Sequence, residues 1–246
     1  MTQTLNYQAG DKWADIPLEQ APFGLKAIIS LKNGGNMSYH LKDQLPDRMN
    51  LINSLGISSQ RFYYLNQKHS QRVVTIGQNS CPENYSSIEA DGLFTQNPKA
   101  VLAVTIADCL PIFLYHKSKP AFAVVHSGYK GTGIAARALE LLCQELDAKP
   151  SEISVTIGPG IGSCCYNVGP ERAEEFQKKY GPQVVKKQKT SYYLDLRKAN
   201  LSLLSKQGVE TFKVIENCTA CTPDLHSYRE QGPENFKLMA AVIGFF

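Results

Sequence analysis

Short runs of consecutive apolar residues dominate the hydrophobic pattern of this chain, and several of them show no alternation with polar residues. A continuous apolar run of this length predicts a β-strand that is covered on both faces. We therefore predict strands at residues 23–31, 61–65, 73–76, 101–106, 112–115, 121–125, 153–157 and 237–243.

Other segments carry apolar residues at the spacing of an amphipathic helix. Three such stripes are Ile134, Ala138, Leu141, Leu142 and Leu146; Leu196, Ala199, Leu203 and Leu204; and Leu51, Ile52 and Leu55. Asp195 is placed to cap the start of the second helix and Gly208 to end it. The third helix is predicted to begin near Asp47 and to end at Gly56, and a fourth is expected to begin near Pro170.

The predicted strands and helices alternate without a strict βαβ order, which favours a mixed sheet over an all-parallel one. The fold class predicted here is therefore α/β (α+β), a layered sandwich with a mixed β-sheet. No linker interrupts the 246 residues, so we expect one domain over residues 1–246.

The composition excludes several classes of protein. Hydrophobic residues make up 43% of the chain and charged residues 20%, which is ordinary for a globular protein and not for a disordered or coiled-coil one. The net charge of +4 comes without the dense Lys/Arg stripe of dedicated nucleic-acid binders. No apolar stretch approaches the ~20 residues of a membrane helix. A polar N-terminus and seven cysteines, an odd number, favour reduced thiols in the cytoplasm.

Three reactive side chains follow predicted strands. His69, Cys109 and His126 come at or after the ends of the strands at 61–65, 101–106 and 121–125. Ligand sites gather where strand ends turn into loops. A thiolate with two imidazoles suits zinc, and three protein ligands leave a fourth position open. The spacing alone leaves three interpretations: a zinc site, a Cys–His nucleophile pair, or unrelated packing roles.

A glycine-rich turn follows His126. Gly128, Gly131 and Gly133 surround Lys130 just before the helix predicted near residue 134. Backbone N–H groups at a helix start, with a lysine beside them, can bind an anion. A plain strand-to-helix turn is the alternative, and the spacing of a Walker A loop is missing.

A second glycine cluster, residues 158–162, follows the strand at 153–157 but does not match the dinucleotide-binding fingerprint. Two interpretations of this cluster remain: its glycines let the backbone approach a ligand closely, or the segment is a plain loop. The adjacent Cys164 and Cys165 are poor candidates for chelating one ion together. The CxxC at residues 218–221 has no second CxxC to complete a zinc ribbon, so we interpret its thiols as packed and free.

Read in order, several blocks of the chain resemble the YfiH family, the laccase-domain or "polyphenol oxidase" proteins regarded as multifunctional purine nucleoside phosphorylases. The blocks are QKHS at 67–70, ADGLFT at 90–95, TIADCLP at 105–111, HSGYKG at 126–131, IGPGIGSCCYNVG at 157–169, CT at 218–219 and SYR at 227–229. They lie in the family's order between about residues 23 and 244.

This resemblance implies a Zn²⁺ ion held by His69, Cys109 and His126 in a cytoplasmic, mostly monomeric enzyme. The implied reactions are phosphorolysis of adenosine, inosine, guanosine and methylthioadenosine to base and ribose-1-phosphate, and deamination of adenosine. Copper-dependent phenol oxidation fits a single three-ligand site less well, because blue-copper chemistry has its own ligand signature.

The remaining site residues are predicted from the same blocks. We expect Lys130 to grip phosphate together with the helix start, and Arg229 to be a weaker candidate for that role. Asp108 is expected either to move a proton or to orient a ligand. Residues expected to bind the substrate are Gln67, Gly128, Gly131 and Gly160.

Several positions depart from the family pattern. Lysine stands for arginine at Lys32, Lys130 and Lys237; the other departures are Tyr129, Asn167 and Glu230. Arginine grips phosphate through a planar fork, whereas lysine offers a point charge. The departures therefore leave the metal ligands intact and bear on phosphate affinity and purine preference.

Three other functions remain open at this point. One is a hydrolase, acting on peptidoglycan precursors or using Cys109 as nucleophile with His126 as base. A second is a non-catalytic binding module stabilised by zinc, and the third is the copper-dependent oxidase.

Overall fold

The computed structural model describes residues 1–39 and 45–246. His40, which has no motif around it, lies outside the described residues. The strands are Thr2–Gln3 (β1), Trp13–Ile16 (β2), Leu25–Ser30 (β3), Phe62–Tyr63 (β4), Val73–Ile76 (β5), Gly92–Thr95 (β6), Val101–Ile106 (β7), Leu110–His116 (β8), Phe122–Ser127 (β9), Ile153–Ile157 (β10), Asn167–Val168 (β11), Val185–Gln188 (β12), Ser191–Leu194 (β13), Thr211–Ile215 (β14) and Met239–Phe245 (β15). The helices are Leu45–Ser54 (α1), Ile134–Leu146 (α2), Pro170–Tyr180 (α3), Leu196–Lys206 (α4) and Tyr228–Gln231 (α5).

In the described part of the chain the strands form three sheets. A seven-stranded sheet has the order β1-β14-β10-β8-β9-β6-β5, a five-stranded sheet the order β2-β3-β15-β7-β4, and a small one the order β11-β13-β12. In the seven-stranded sheet β10 pairs with β14 in parallel, whereas β8 pairs with both β9 and β10 antiparallel. The predicted mixed sheet in a layered α/β fold is thus confirmed.

The two large sheets pack face to face, and alternate residues of one strand enter different cores. In β7, Leu102 and Val104 point into the core between the sheets, whereas Val101 and Ala103 pack with residues of α1. On the outer face of the seven-stranded sheet, a third core includes residues of α2, α3 and α4. The layers are therefore helix, sheet, sheet and helix, which explains why the central strands are buried on both faces.

The helices predicted from apolar spacing all form. Asp195 caps α4, because its side chain accepts a hydrogen bond from the N–H of Lys198 at 2.9 Å. Gly208, just after α4, adopts a φ of 93°, which favours glycine. The helix predicted from Asp47 begins two residues earlier, at Leu45, and the fourth begins at Pro170 as expected.

The predicted strands are present with shifts of a few residues at their ends. The main additions are β2, β6, β14 and the hairpin of β12 and β13, which the apolar runs did not indicate. Strand β6 begins with Gly92, where a Cβ would come 2.8 Å from Cγ1 of Val125 on the neighbouring strand. Glycine is disfavoured in strands, but here close packing requires it.

The chain passes between the two large sheets at two places that matter for the site. The segment between β4 and β5 leaves the five-stranded sheet and enters the seven-stranded one. The short turn at residues 107–109 does the same between β7 and β8. Among the helices of the described residues, none has the length and apolar character that crossing a membrane requires.

Candidate metal centre and cavity

The three side chains that follow predicted strands meet in space. One ligand atom from each of His69, Cys109 and His126 lies within 4.8 Å of the other two. The two imidazole rings stand edge to face with their centroids 4.8 Å apart. His69 and Cys109 lie on the two crossings between the sheets, and His126 lies near the end of β9.

His126 is held by a buried carboxylate. Its Nδ1 lies 2.9 Å from Oδ1 of Asp91, which is fully buried just before β6. Because Nδ1 faces the carboxylate, Nε2 is left for the ligand cluster, as is usual for histidines that bind metals. Asp91 therefore sets which nitrogen of His126 is available.

The same carboxylate shapes the loop that carries His69. Asp91 accepts hydrogen bonds from the backbone N–H groups of Lys68, His69 and Ser70 at 2.7–3.1 Å, and from the Ser70 hydroxyl at 2.7 Å. His69 adopts a φ of 58°, a left-handed conformation that is uncommon for a residue with a side chain. Burial raises the pKa of Asp91, but its hydrogen bonds with His126 and the loop outweigh this effect and hold the pKa well below its usual range.

Cys109 sits in a tight turn against a glycine. A Cβ on Gly128 would come 2.5 Å from the Cys109 sulfur, so only glycine leaves room for the thiol. Asp108, next to the cysteine, has a φ of 91°. A non-glycine residue in this region marks backbone that the surrounding structure constrains, which is common at functional sites.

The Cys109 thiol and the His126 imidazole stabilise each other's charged forms. Burial raises the pKa of Cys109, but His126 and then His69 outweigh it and lower the pKa to about 6. Burial lowers the pKa of His126, whereas Cys109 and Asp91 raise it to about 9. A thiolate is the form that binds a metal ion and also the form that acts as a nucleophile.

The donor set fits a zinc ion. One thiolate and two imidazoles match a three-ligand catalytic site, and Asp91 supplies the outer carboxylate that such histidines need. Within the described part of the chain, no further His, Cys, Asp or Glu joins this group. The same three side chains also line a cavity.

That cavity has a volume of about 500 Å³, within the range of small-molecule sites. Its wall combines the three candidate ligands with aromatic side chains, two arginines and a few polar and aliphatic groups. The lining residues are Gln67, His69, Thr105, Ala107, Asp108, Cys109, His126, Tyr129, Ile161, Tyr166, Arg172, Leu196, Tyr228, Arg229, Phe236 and Leu238.

Two of the predicted catalytic residues lie at this cavity. Asp108 accepts a hydrogen bond on Oδ1 from the Thr219 hydroxyl at 2.6 Å and on Oδ2 from the backbone N–H of Arg229 at 2.7 Å. The Arg229 guanidinium lies over the Tyr166 ring, 5.4 Å from its centroid. Lys130, the third, is exposed and is not among the lining residues.

The four residues predicted to bind substrate have different surroundings. Gln67 lines the cavity, and its side-chain amide bonds the backbone of Thr105. Gly128 makes room for the sulfur of the candidate centre. A Cβ on Gly131 would lie 3.2 Å from a loop carbonyl, and one on Gly160 would lie 2.6 Å from a leucine side chain. The two latter glycines thus permit close packing beside the site.

Three residues that have evident roles at this site were not identified from the sequence. Asp91 had a signal, since it stands in one of the blocks that carry the resemblance. Arg172 lies on α3 with its guanidinium 4.9 Å from the Tyr129 ring centroid, and nothing in its local sequence marks it. Thr219 reaches Asp108 across 111 positions of the chain, a contact that no spacing rule predicts.

Comparison with known proteins gives a consistent assignment. The family model described as multi-copper polyphenol oxidoreductase laccase matches residues 30–245. The chain is 29% identical to a purine nucleoside phosphorylase of Clostridium acetobutylicum, over 97% of this chain and 99% of that protein. It is 30% identical to the purine nucleoside phosphorylase YlmD of Geobacillus stearothermophilus, over 91% of each.

Solved structures share the fold. The crystal structure of the hypothetical protein YfiH of Bacillus licheniformis superposes with a TM-score of 0.87 at 24% identity, covering 98% of this chain and 99% of that one. The structure of YlmD superposes with a TM-score of 0.86 at 27% identity, covering 98% of each chain. Together with the match of the family model over most of the chain, these similarities show that the chain belongs to the YfiH, or laccase-domain, family.

Proposed function

We propose that this protein is a zinc-dependent purine nucleoside phosphorylase. The observation that carries the proposal is the three-ligand cluster of His69, Cys109 and His126, which opens into a cavity lined by aromatic side chains and two arginines. The printed names of relatives about 30% identical to the chain support the same activity. A zinc ion bound there would supply a Lewis acid beside the substrate.

The aromatic wall suits a purine base. Tyr166 and Tyr228 line the cavity together with Phe236, whose ring meets that of Tyr228 edge to face at 5.0 Å between centroids. Flat aromatic side chains bind a purine by stacking. Because every base has a similar face, stacking discriminates little between one purine and another. We therefore expect several purine nucleosides, among them adenosine, inosine, guanosine and methylthioadenosine, to be substrates.

The positive charge at the cavity suits phosphate. Arg172 and Arg229 line it, whereas Lys130 does not, so we assign the phosphate grip chiefly to the two arginines. A phosphate oxygen attacks C1′ of the ribose, and the bond from C1′ to the purine nitrogen breaks. The electron pair leaves with the base, which takes up a proton, and ribose-1-phosphate forms.

Asp108 acts as a positioning residue in this proposal. Both carboxylate oxygens accept hydrogen bonds, one from Thr219 and one from the backbone of Arg229 at the start of α5. These contacts hold the arginine at the cavity wall. Deamination of adenosine is the second activity we propose, and it uses the same cavity without phosphate. Water adds at C6, the bond from C6 to the amino nitrogen breaks, and ammonia leaves to give inosine.

The test is direct. Purified protein is incubated with adenosine, with and without phosphate, and adenine, ribose-1-phosphate and inosine are followed by chromatography. Adenine that forms only with phosphate supports phosphorolysis, and inosine supports deamination; the formation of neither rejects both. Cys109→Ala is expected to lose both activities, whereas Cys143→Ala, a change on α2 away from the candidate metal centre, should retain them.

One observation favours a second candidate, a Cys–His hydrolase such as one acting on peptidoglycan precursors. The lowered pKa of Cys109 makes it a thiolate beside His126, which is the form of a cysteine nucleophile. This candidate predicts hydrolysis that persists in strong chelator and is abolished by iodoacetamide. Elemental analysis also separates zinc from copper, and copper would favour the oxidase chemistry of the family's description.

A further inference from the structure

A second group of sulfur atoms lies apart from the centre described above. The thiols of Cys164, Cys165, Cys218 and Cys221 all lie within 4.8 Å of one another. The Cys221 sulfur is 3.2 Å from that of Cys165 and 3.7 Å from that of Cys164. The adjacency of Cys164 and Cys165 argued against joint chelation, but folding brings two further thiols to the same point.

The backbone holds these thiols on two facing turns. Gly160 pairs with Cys218 in an isolated parallel bridge, and the N–H of Thr219 donates to the Gly160 carbonyl at 3.2 Å. The N–H of Gly162 donates to the Cys218 sulfur at 3.2 Å. Hydrogen bonds from backbone N–H groups to sulfur are common around thiolate ligands and stabilise their charge.

The spacing of the sulfurs resembles that of a metal site. With Zn–S bonds of about 2.3 Å in a tetrahedron, the sulfurs of a four-cysteine site lie roughly 3.8 Å apart. A disulfide requires about 2.05 Å and would join only two of the four. The distances of 3.2 and 3.7 Å therefore lie nearer the tetrathiolate arrangement.

A half-buried arginine stands beside the cluster. The Arg197 guanidinium donates through Nη2 to the carbonyls of Gly160 and Asn217, both at 2.8 Å. A Cβ built on Gly162 would lie 3.1 Å from the Cys164 sulfur and 3.5 Å from Arg197 Nη1, so the cation adjoins the sulfurs.

The carboxylates of Asp195 and Glu216 act on the charge of this arginine only from beyond contact distance. Among the described residues, Arg197 makes no ion pair within 4.0 Å, and its Nε has no hydrogen-bond partner. A partly buried charge without a carboxylate in contact is unfavourable. A zinc ion with four thiolates carries a net charge of about −2, which would place a strong counter-charge beside the guanidinium.

We propose that Cys164, Cys165, Cys218 and Cys221 form a structural zinc site. Binding releases the four thiol protons, and four sulfur ligands close the coordination sphere, so the site has no open position for chemistry. This inference does not depend on the proposed function, because it concerns different residues and predicts a different number of bound ions.

A zinc ion at this site would stabilise the segments that line the cavity beside the candidate metal centre. Cys165 directly precedes Tyr166, a lining residue, and its carbonyl accepts a hydrogen bond from the Arg229 guanidinium at 3.1 Å. Thr219, between the other two cysteines, donates to Asp108. Zinc at this point would thus link the residues that position both sides of the cavity.

Zinc content is the first test. The protein is produced in zinc-supplemented medium, purified with a phosphine reductant and without chelator, and analysed by mass spectrometry of the elements. We expect about two zinc ions per chain in the wild type and about one in Cys109→Ala, which leaves the four cysteines unchanged. Cys221→Ser is expected to retain about one, and the matched control Cys81→Ser, at an exposed cysteine elsewhere, about two.

Cobalt supplies a second readout that does not depend on activity. Cys109→Ala reconstituted with Co²⁺ should show the intense visible absorption of a tetrahedral cobalt thiolate, and chelator should lower its melting temperature. Cys109→Ala without zinc and without this absorption would overturn the proposal. So would equal zinc content in Cys221→Ser and Cys81→Ser, or a Cys165–Cys221 disulfide in protein kept reduced.

Discussion

Oδ1 of Asp91 and Nδ1 of His126 lie 2.9 Å apart, and the same carboxylate binds three consecutive backbone N–H groups of the loop that carries His69. One buried side chain thus positions both imidazoles of the candidate metal centre. It acts on one through its ring nitrogen and on the other through the loop backbone.

We expect Asp91→Asn to weaken zinc binding by about ten- to one-hundredfold, because the amide places N–H donors where the loop already presents donors. The zinc affinity is measured by competition with a chromogenic chelator. Ser70→Ala is the matched control, since it removes only one donor to the carboxylate. An unchanged affinity in Asp91→Asn would show that the carboxylate does not support the ligands.

Gly128→Ala is expected to abolish metal binding at the candidate metal centre. The added methyl carbon would come 2.5 Å from the Cys109 sulfur and must displace it. Gly169→Ala is the control, because its Cβ would meet no atom within 4 Å and its φ of −67° suits alanine. Zinc content and adenosine turnover are measured for both variants. A Gly128→Ala protein with the wild-type zinc content would contradict the close contact.

The arginines at the cavity should control phosphate affinity. Charge-assisted hydrogen bonds contribute about 1.5–3 kcal/mol, so Arg172→Ala and Arg229→Ala are each expected to raise the KM for phosphate by roughly ten- to one-hundredfold. Lys130→Ala should change it less than threefold, about 0.6 kcal/mol, because Lys130 does not line the cavity. The KM is measured at saturating nucleoside. A larger effect at Lys130 than at either arginine would restore the lysine as the phosphate ligand.

We expect the folded state to lose stability in mild acid because of the lowered pKa of His226. Burial lowers its pKa, and Lys32 and Lys237 lower it further, to about 4, although a hydrogen bond with Gln231 acts in the opposite direction. The unfolded chain binds this proton near pH 6.5, so the folded state loses relative stability as the pH falls from about 6.5 to about 4.

Denaturant unfolding at several pH values tests this expectation. The free energy of unfolding should fall between pH 6.5 and 4, and His226→Gln should flatten that fall. The window lies above the range in which Asp91 contributes, since the depressed pKa of a carboxylate matters only at lower pH. Equal slopes for the variant and the wild type would exclude His226 as the source.

The helices and central strands could be predicted because their signals are local. In α2 and α4 the apolar stripe lies within the helix itself, and the residue that caps α4 directly precedes it. Strand β6 was not predicted because it begins with Gly92, a residue that is disfavoured in strands. The glycine is needed there because Val125 on the neighbouring strand leaves no room for a side chain, and the local sequence does not show this.

The difference between local signals and long-range contacts also explains which site residues could be predicted. His69, Cys109 and His126 could be suspected because each marks a strand end, although only the resemblance joined them. The four-cysteine cluster could not be predicted, because Cys165 and Cys221 are 56 positions apart and long-range contacts such as the bridge at Gly160 bring their turns together. Arg172 is set at the cavity by the packing of α3, which its local sequence does not reveal.

Two residues of the candidate metal centre lie on the segments where the chain crosses from one large sheet to the other, and the third lies on a strand of the second sheet. A fluctuation that parts the sheets would therefore separate the three candidate ligands from one another. Conditions that loosen the contact between the two layers should then also speed the release of a bound ion to a strong chelator.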